Sequence, residues 1–174
     1  MTVSLKRKSW WGYLDKDLQE LFNEALLLID RVGKWEEKFH DYSFIVFPVA
    51  KAYEGFLKSF FLDLGFISEK EFYGKRFRVG SALNPALEKR YRNKEGVYDK
   101  IVEYCGGKEL ADTLWDTWRT CRNMLFHWFP NEKNAISYEE ASNRVQQVVQ
   151  SIDSAFKECK IEKRPPKKSK RDFG

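Results

Sequence analysis

The apolar residues of this chain recur every three or four positions over long stretches, and no stretch alternates apolar and polar residues for long enough to build a sheet. The clearest stretch runs from Asp15 to about Val32, and Gly33 follows it as a stop. Such a spacing gives a helix one apolar stripe, which must be buried against other helices. The sequence therefore predicts an all-α fold, a helical bundle.

A second long helix is expected from about Glu36 or Tyr42 to Leu64, before Gly65. Pro48 lies within this segment, and it either kinks the helix or lies near its true start, because proline lacks the N–H that a helix interior requires. Both positions for the start of this helix are open from the sequence.

Two further helices are expected near the end of the chain. One runs from Lys108 to about Trp128 and is ended by Pro130, with an apolar stripe that includes Trp128. The last runs from Ser137 to about Phe156, where Ser137 and Glu140 have the spacing of a capping box. Shorter elements are also expected: a helical piece at residues 69–72, an extended stretch at 77–79, a helix over 85–91 begun by Pro85 after Asn84, and a helix over 96–104.

The composition, 43% hydrophobic and 33% charged, is that of a globular protein, and 174 residues suit one domain. The formal net charge is +5, but residues 160–174 carry seven Lys and Arg against two acids, so the rest of the chain sums to zero. We expect one helical domain over residues 1–159 and a mobile basic tail over 160–174. The tail is expected to attract phosphates in a salt-dependent way, without taking part in chemistry.

The three cysteines, Cys105, Cys121 and Cys159, are odd in number and include no C-x-x-C pair, so neither a disulfide framework nor a zinc site is expected. This pattern favours a reducing, cytoplasmic setting. The first residues, MTVSLKRKSWWGYL, lack the apolar core of a signal peptide. The longest apolar run, Phe44–Ala50, is too short to span a membrane, and no membrane partner is expected.

Common catalytic signatures are missing from the sequence, which has no phosphate-binding glycine loop and no H-E-x-x-H motif. Two histidines cannot form a multi-histidine metal site, so we expect neither a metal nor a cofactor. What remains is Arg122 and His127 near the end of the Lys108–Trp128 helix. A histidine titrates near neutral pH and can move protons, while an arginine can hold a phosphate through two donors.

On a straight helix, residues five apart point about 140° apart, so Arg122 and His127 would not share a face. The break at Pro130 is expected to loosen the last turn and let His127 swing toward Arg122. An alternative stays open, in which Arg122 forms a surface ion pair and His127 is an ordinary helix-end residue.

The run Arg122-Asn123-Met124-Leu125-Phe126-His127 resembles the R-x4-6-H motif of HEPN domains, which are all-α and often metal-independent endoribonucleases. The polar residue after the arginine, here Asn123, is also usual in that family. The resemblance implies a symmetric dimer in which two motifs face one cleft. It also implies that Asn123 positions the motif or a phosphate oxygen.

Residues 43–48 (SFIVFP) and 52–58 (AYEGFLK) resemble the HEPN part of RNase LS-type toxins, which cleave mRNA and are neutralised by antitoxins. In those proteins a glutamate of the earlier helix joins the Arg and His, and Glu54 is the matching position. Lys51 and Lys58 share its side of the helix and are expected to help position RNA. The alternative is that Glu54 only pairs with Lys51 or Lys58. Another HEPN branch has a Tyr where this chain has Phe129, which argues against that branch.

These observations lead to one main hypothesis, a metal-independent endoribonuclease that acts as a toxin and leaves a 2′,3′-cyclic phosphate. His127 would act as general acid or base and Arg122 would stabilise the phosphorane. Glu54 would orient His127 or share in proton transfer. The competing hypothesis is a non-catalytic helical module that dimerises or binds a partner. Aromatics make up 16% of the chain, and Trp115, Trp118 and Trp128 are expected in the core or a dimer interface.

Overall fold

The computed structural model of the protein describes residues 5–88, 96–159 and 161, and within these ranges every regular element is helical. This confirms the all-α prediction. None of the helices in the described ranges has the length and apolar character needed to cross a membrane. The predicted tail lies outside the described residues, apart from Ile161.

The fold is built around its second long helix, with the first packed against it. Helix α1 spans Lys16–Val32 and helix α2 spans Ser43–Asp63, and they pack closely along each other. A Cβ atom placed on Gly55 of α2 would lie 2.5 Å from Leu18 Cδ2 of α1, so a side chain there would push the two helices apart. The predicted end of α1 at Val32 is confirmed.

The beginning of α2 settles the question that Pro48 posed. The helix begins at Ser43, and Pro48 lies inside it with its ring buried. Residues 34–42 lie outside any regular helix, so the earlier predicted start at about Glu36 is wrong. Pro48 is the sixth residue of the helix, so it supplies no N–H to the second turn, and its apolar ring packs in the core.

Three short helices follow: α3 (Glu69–Tyr73), α4 (Val79–Leu83) and α5 (Tyr98–Tyr104). The first and third were predicted. The extended stretch predicted at 77–79 is wrong, because Val79 begins α4 and is buried with that helix. No helix begins at Pro85: residues 85–86 form a turn, and residues 87–88 have no regular structure. In this turn Ala86 N–H donates to Asn84 Oδ1 (2.9 Å). The remaining residues of the predicted helix lie outside the described residues.

The long helix predicted over 108–128 is helical only as far as Asn123. Helix α6 spans Lys108–Trp118, and the chain then widens into a π-helical turn at Arg119–Asn123. The wider turn closes with a 2.9 Å hydrogen bond from Met124 N–H to the Arg119 carbonyl oxygen. Residues 124–127 form a turn, so Trp128 lies beyond the end of the helix, outside its apolar stripe, and is 78% exposed.

Helix α7 spans Tyr138–Glu158 and packs against α2 and α6. Its predicted capping box is confirmed: Glu140 N–H donates to Ser137 Oγ (3.1 Å), and Ser137 N–H donates to Glu140 Oε2 (2.8 Å). The second of these hydrogen bonds lowers the pKa of Glu140. The predicted inward residues Val145 and Ile152 are buried.

The prediction that the cysteines form no disulfide is wrong. Cys105, at the end of α5, and Cys159, at the end of α7, form a disulfide bond across 54 positions of sequence. Cys121 is a free, buried thiol. The odd number of cysteines arises from one disulfide pair and one buried free thiol. The cysteine pattern therefore no longer supports a reducing setting.

Candidate active site

A cavity of about 580 Å³ lies where α2, α6 and the π-helical turn meet the segment 74–84. We call it the site cavity. Its lining includes Glu54 and Lys58 from α2 and, from the far wall, Arg122, Asn123 and His127. Five of the six predicted site residues therefore come together. Lys51 is exposed on α2 and does not line the cavity.

The guanidinium group of Arg122 is held from two sides. Arg122 Nη2 lies 3.8 Å from Glu54 Oε2, and the guanidinium carbon lies 5.3 Å from the ring centroid of Trp118. The Arg122 and Glu54 side chains keep 41% and 33% of their surface exposed, so a ligand can reach both. The ion pair and the cation–π contact restrain the guanidinium from two directions, and part of the side chain stays exposed.

Glu54 therefore pairs with Arg122 in this structure. Among the described residues it forms no ion pair with Lys51 or Lys58, the partners that the structural alternative expected.

The helix carrying Glu54 is fixed from behind by a buried polar contact. The neighbouring Tyr53 hydroxyl donates to the Leu114 carbonyl oxygen (3.3 Å) and shares a 2.7 Å hydrogen bond with Ser151 Oγ. Burial raises the pKa of Tyr53 far above its usual range, so the phenol stays uncharged. This contact joins α2 to α6 and α7 at the level of the site.

The π-helical turn is anchored as well. Thr120 Oγ1 donates to the Asp116 carbonyl oxygen (2.7 Å) and accepts from Gln147 Nε2 of α7 (3.1 Å). Cys121 is fully buried beneath the turn, and burial raises its pKa to about 11. This thiol stays protonated at neutral pH, so it fills the core and does not serve as a nucleophile.

The π-helical turn explains how residues five apart come to line one cavity. The α-helix ends at Trp118, and residues 124–127 form a turn instead of continuing it, so the 140° separation of a straight helix does not apply. The cause is not the break at Pro130, as predicted, because the helix changes eleven residues earlier. Nothing in a hydrophobic pattern signals a π-helical turn.

Sequence reasoning also missed Asn134. Its side-chain Nδ2 donates to the carbonyl oxygen of His127, and it lies 3.4 Å from the carbonyl oxygens of Met124 and Leu125. The amide group of Asn134 is thus within hydrogen-bonding distance of three backbone carbonyl oxygens in the turn that carries His127. A half-buried asparagine a few residues after a motif gives no recognisable signal in one sequence.

Two further cations of the site cavity, Lys75 and Arg78, were also missed. They lie in the run K-R-F-R before α4, where the mix of basic and aromatic residues was the available signal. Gly80 brings this segment against α6, because a Cβ atom there would lie 2.6 Å from Trp118 Nε1. Trp118 thus makes the cation–π contact with Arg122 and also packs against the segment that carries Lys75 and Arg78.

The described lining of the site cavity has a net positive charge of +3, from Lys58, Lys75, Arg78 and Arg122 against Glu54. This excess lies in a domain whose formal charge sums to zero without the tail. Within the described residues, no three His, Cys, Asp or Glu side chains lie close enough to hold a metal ion. The arrangement suits an anion that can be contacted by an arginine, a histidine and lysines.

Comparison of the chain with protein-family models, curated proteins and solved structures found no match. The similarity to HEPN domains therefore depends on the motif residues and the helical architecture described above.

Proposed function

We propose that the protein is a metal-independent endoribonuclease of the HEPN type and that the site cavity is its active site. The observation that carries this proposal is the common cavity lined by Glu54, Arg122, Asn123 and His127, with Arg122 held in place. Cleavage of RNA at its 2′-hydroxyl needs a proton-transfer group and a cation, and His127 and Arg122 line the same cavity.

In the proposed reaction, the exposed imidazole of His127 removes the proton of the 2′-hydroxyl, and O2′ attacks the adjacent phosphorus. Arg122 stabilises the negative charge that develops on the phosphorane oxygens. The bond to the 5′ oxygen breaks, and the imidazolium donates its proton to that oxygen. The products are a 2′,3′-cyclic phosphate and a 5′-hydroxyl, and no proton is gained or lost overall.

Glu54 acts through Arg122 in this scheme. The ion pair at 3.8 Å supports a positioning role for the carboxylate, with its charge keeping the guanidinium turned into the cavity. Asn123 is exposed at the rim of the cavity, where its amide can hold a phosphate oxygen.

The direct test is cleavage of single-stranded RNA by the purified protein in excess EDTA. We expect cleavage to persist, with cyclic-phosphate ends detected on the products, because the proposed chemistry needs only protein groups. Activity that disappears with the chelator and returns with Mg²⁺ or Mn²⁺ would contradict the metal-free mechanism.

An exposed apolar patch next to the active site supports a homodimer. It consists of the exposed Phe47, Met124, Trp128 and Phe129 and of the half-buried Phe126, whose ring centroid lies 5.5 Å from that of Phe47. Large exposed apolar patches are typical of protein interfaces, and this one adjoins His127. Light scattering should give twice 20.7 kDa at micromolar concentration, and Trp128→Glu should give a monomer.

The biological role that we propose is that of a toxin held in check by an antitoxin protein. Expression should then arrest growth of the host cell, and His127→Ala should relieve the arrest. The same apolar patch also favours the second candidate, a non-catalytic module that binds a partner. That candidate predicts growth effects that persist in the His127→Ala variant.

A further inference from the structure

Three cations of the site cavity have no part in the proposed reaction. Lys58 comes from α2, and Lys75 and Arg78 come from the segment before α4. Among the described residues, no carboxylate lies within 4 Å of any of the three. Arg122, in contrast, is paired with Glu54. Unpaired cations gathered in one cavity attract an anion of their own.

The position of Lys58 relates this group to the reaction centre. Lys58 follows Glu54 by four residues on α2, which places it about 6 Å further along the helix axis. Since Glu54 pairs with Arg122, Lys58 stands one helical turn along α2 from the residue that holds the guanidinium, and both line the same cavity.

Aromatic side chains accompany these cations. Phe77 and Trp115 are half-buried in the lining of the same cavity, and Phe77 lies between Lys75 and Arg78 in the sequence. Nucleotides offer both a phosphate and a flat base, and bases stack on aromatic rings in proteins that bind single strands. An acidic peptide could pair with the cations of this cavity, but it carries no bases to stack on Phe77 and Trp115.

We propose that Lys58, Lys75 and Arg78 form a second phosphate subsite, which holds the phosphodiester next to the one that is cleaved. This inference rests on the proposed function. It identifies the substrate as single-stranded RNA with at least one phosphodiester beyond the scissile one. The lysines supply point charges, and Arg78 can contact a phosphate through two N–H groups.

Binding can be measured without cleavage by using a fluorescein-labelled single-stranded RNA that is fully 2′-O-methylated. We expect Lys75→Ala/Arg78→Ala to bind it at least about tenfold more weakly at low salt. The slope of log affinity against log salt should fall by about 0.7 for each cation removed. The matched control is Lys70→Ala/Arg76→Ala, which removes two exposed cations of the same region that do not line the cavity.

All four substituted residues are exposed, so both variants should keep the wild-type unfolding temperature. Equal loss of affinity in the two variants, or no loss in either, would overturn the subsite. Poly-glutamate that displaces the RNA from the wild type at equal charge concentration would instead indicate an acidic protein surface and overturn the RNA assignment.

Cleavage kinetics separate this inference from the proposed function. A trinucleotide with two phosphodiesters should have a lower KM than a dinucleoside monophosphate with one, and Lys75→Ala/Arg78→Ala should remove that difference in KM. Wild-type protein that cleaves both substrates with equal KM would overturn the subsite alone. If the wild-type protein binds methylated RNA but cleaves no RNA, the proposed ribonuclease activity is overturned. The binding assay with the two double variants then tests the phosphate subsite separately.

Discussion

Two cavities of similar volume differ in how their charges are arranged. The second, of about 500 Å³, lies between the N-terminal segment, α1 and α7, and we call it the α1–α7 cavity. Its lysines are paired within it: Lys8 Nζ lies 2.6 Å from Asp153 Oδ2, and Lys34 Nζ lies 2.7 Å from Asp30 Oδ1. The hydrogen bond from Lys34 lowers the pKa of Asp30.

The charges of the α1–α7 cavity thus cancel, whereas the described lining of the site cavity keeps an excess of three positive charges. The difference shows that cavity size alone does not identify a site in this protein. Asp153 also accepts a 2.7 Å hydrogen bond from Trp10 Nε1, so the α1–α7 cavity uses its carboxylates to complete the fold. The site cavity leaves cations available to a ligand.

The largest effect is expected at the fixed cation of the site cavity. Arg122→Ala should lower kcat by at least about a hundredfold, because it removes the group that stabilises the phosphorane charge. Arg119→Ala is the matched control: Arg119 lies in the same π-helical turn, pairs with Asp116 at 3.3 Å and does not line the cavity. Equal kcat losses in the two variants would mean that disturbing the turn, not losing the charge, is responsible.

In the α1–α7 cavity, substitution should affect stability and not activity. Asp153→Ala leaves the N–H of the fully buried Trp10 without its acceptor, which should cost about 1–3 kcal/mol of the free energy of unfolding. RNA cleavage at 25 °C should stay at the wild-type rate. Asp30→Ala, which removes an exposed pair of the same cavity, should leave the unfolding temperature nearly unchanged. A loss of cleavage in folded Asp153→Ala would contradict the division between the cavities.

A smaller effect, with opposite signs for rate and affinity, is expected for Glu54→Gln. A partly exposed ion pair contributes at most about 1 kcal/mol, so kcat should fall by about fivefold if Glu54 only positions Arg122. RNA should bind more tightly, since the net charge of the site cavity rises by one. A hundredfold loss of kcat would show instead that Glu54 transfers a proton itself. Glu103→Gln, an exposed change on α5, serves as the control.

No reaction at all is expected at Cys121. With its pKa raised to about 11, only about one thousandth of this thiol is ionised at pH 8, and it is fully buried. Iodoacetamide should therefore modify Cys121 only after unfolding, as mass spectrometry can show. Because the unfolded thiol ionises near pH 9, the unfolded state loses its proton first, and stability should decrease as pH rises above 9. Rapid labelling of the folded protein would mean that the π-helical turn opens.

Most of the helical architecture could be predicted because it depends on local patterns. The apolar spacing of α1 and the capping residues Ser137 and Glu140 determine their elements within a few neighbouring residues. The disulfide between Cys105 and Cys159 could not be predicted, because it depends on where two distant helix ends meet. Trp128 was misplaced because the helix ends with the π-helical turn at Asn123, five residues before Trp128, and no hydrophobic pattern signals such a turn.

Part of the candidate site could be predicted from residue types, but its extent could not. Arg122 and His127 stood out by residue type and spacing, and Glu54 by its resemblance to a family motif. Lys75 and Arg78 reach the cavity only through the close approach of Gly80 to Trp118, a contact that no sequence pattern describes. Lys51 was included for its nearness to Glu54 in sequence, yet it lies outside the cavity lining.

The most direct test of the proposed ribonuclease activity is to measure RNA cleavage and thermal unfolding of the His127→Ala variant. His127 is exposed, so its removal leaves no cavity in the core and the unfolding temperature should be unchanged. We expect kcat to fall by at least about a hundredfold, the loss usual for a missing acid–base group, while His40→Ala keeps the wild-type rate. A folded His127→Ala variant that cleaves RNA as fast as the wild type would contradict the site described here.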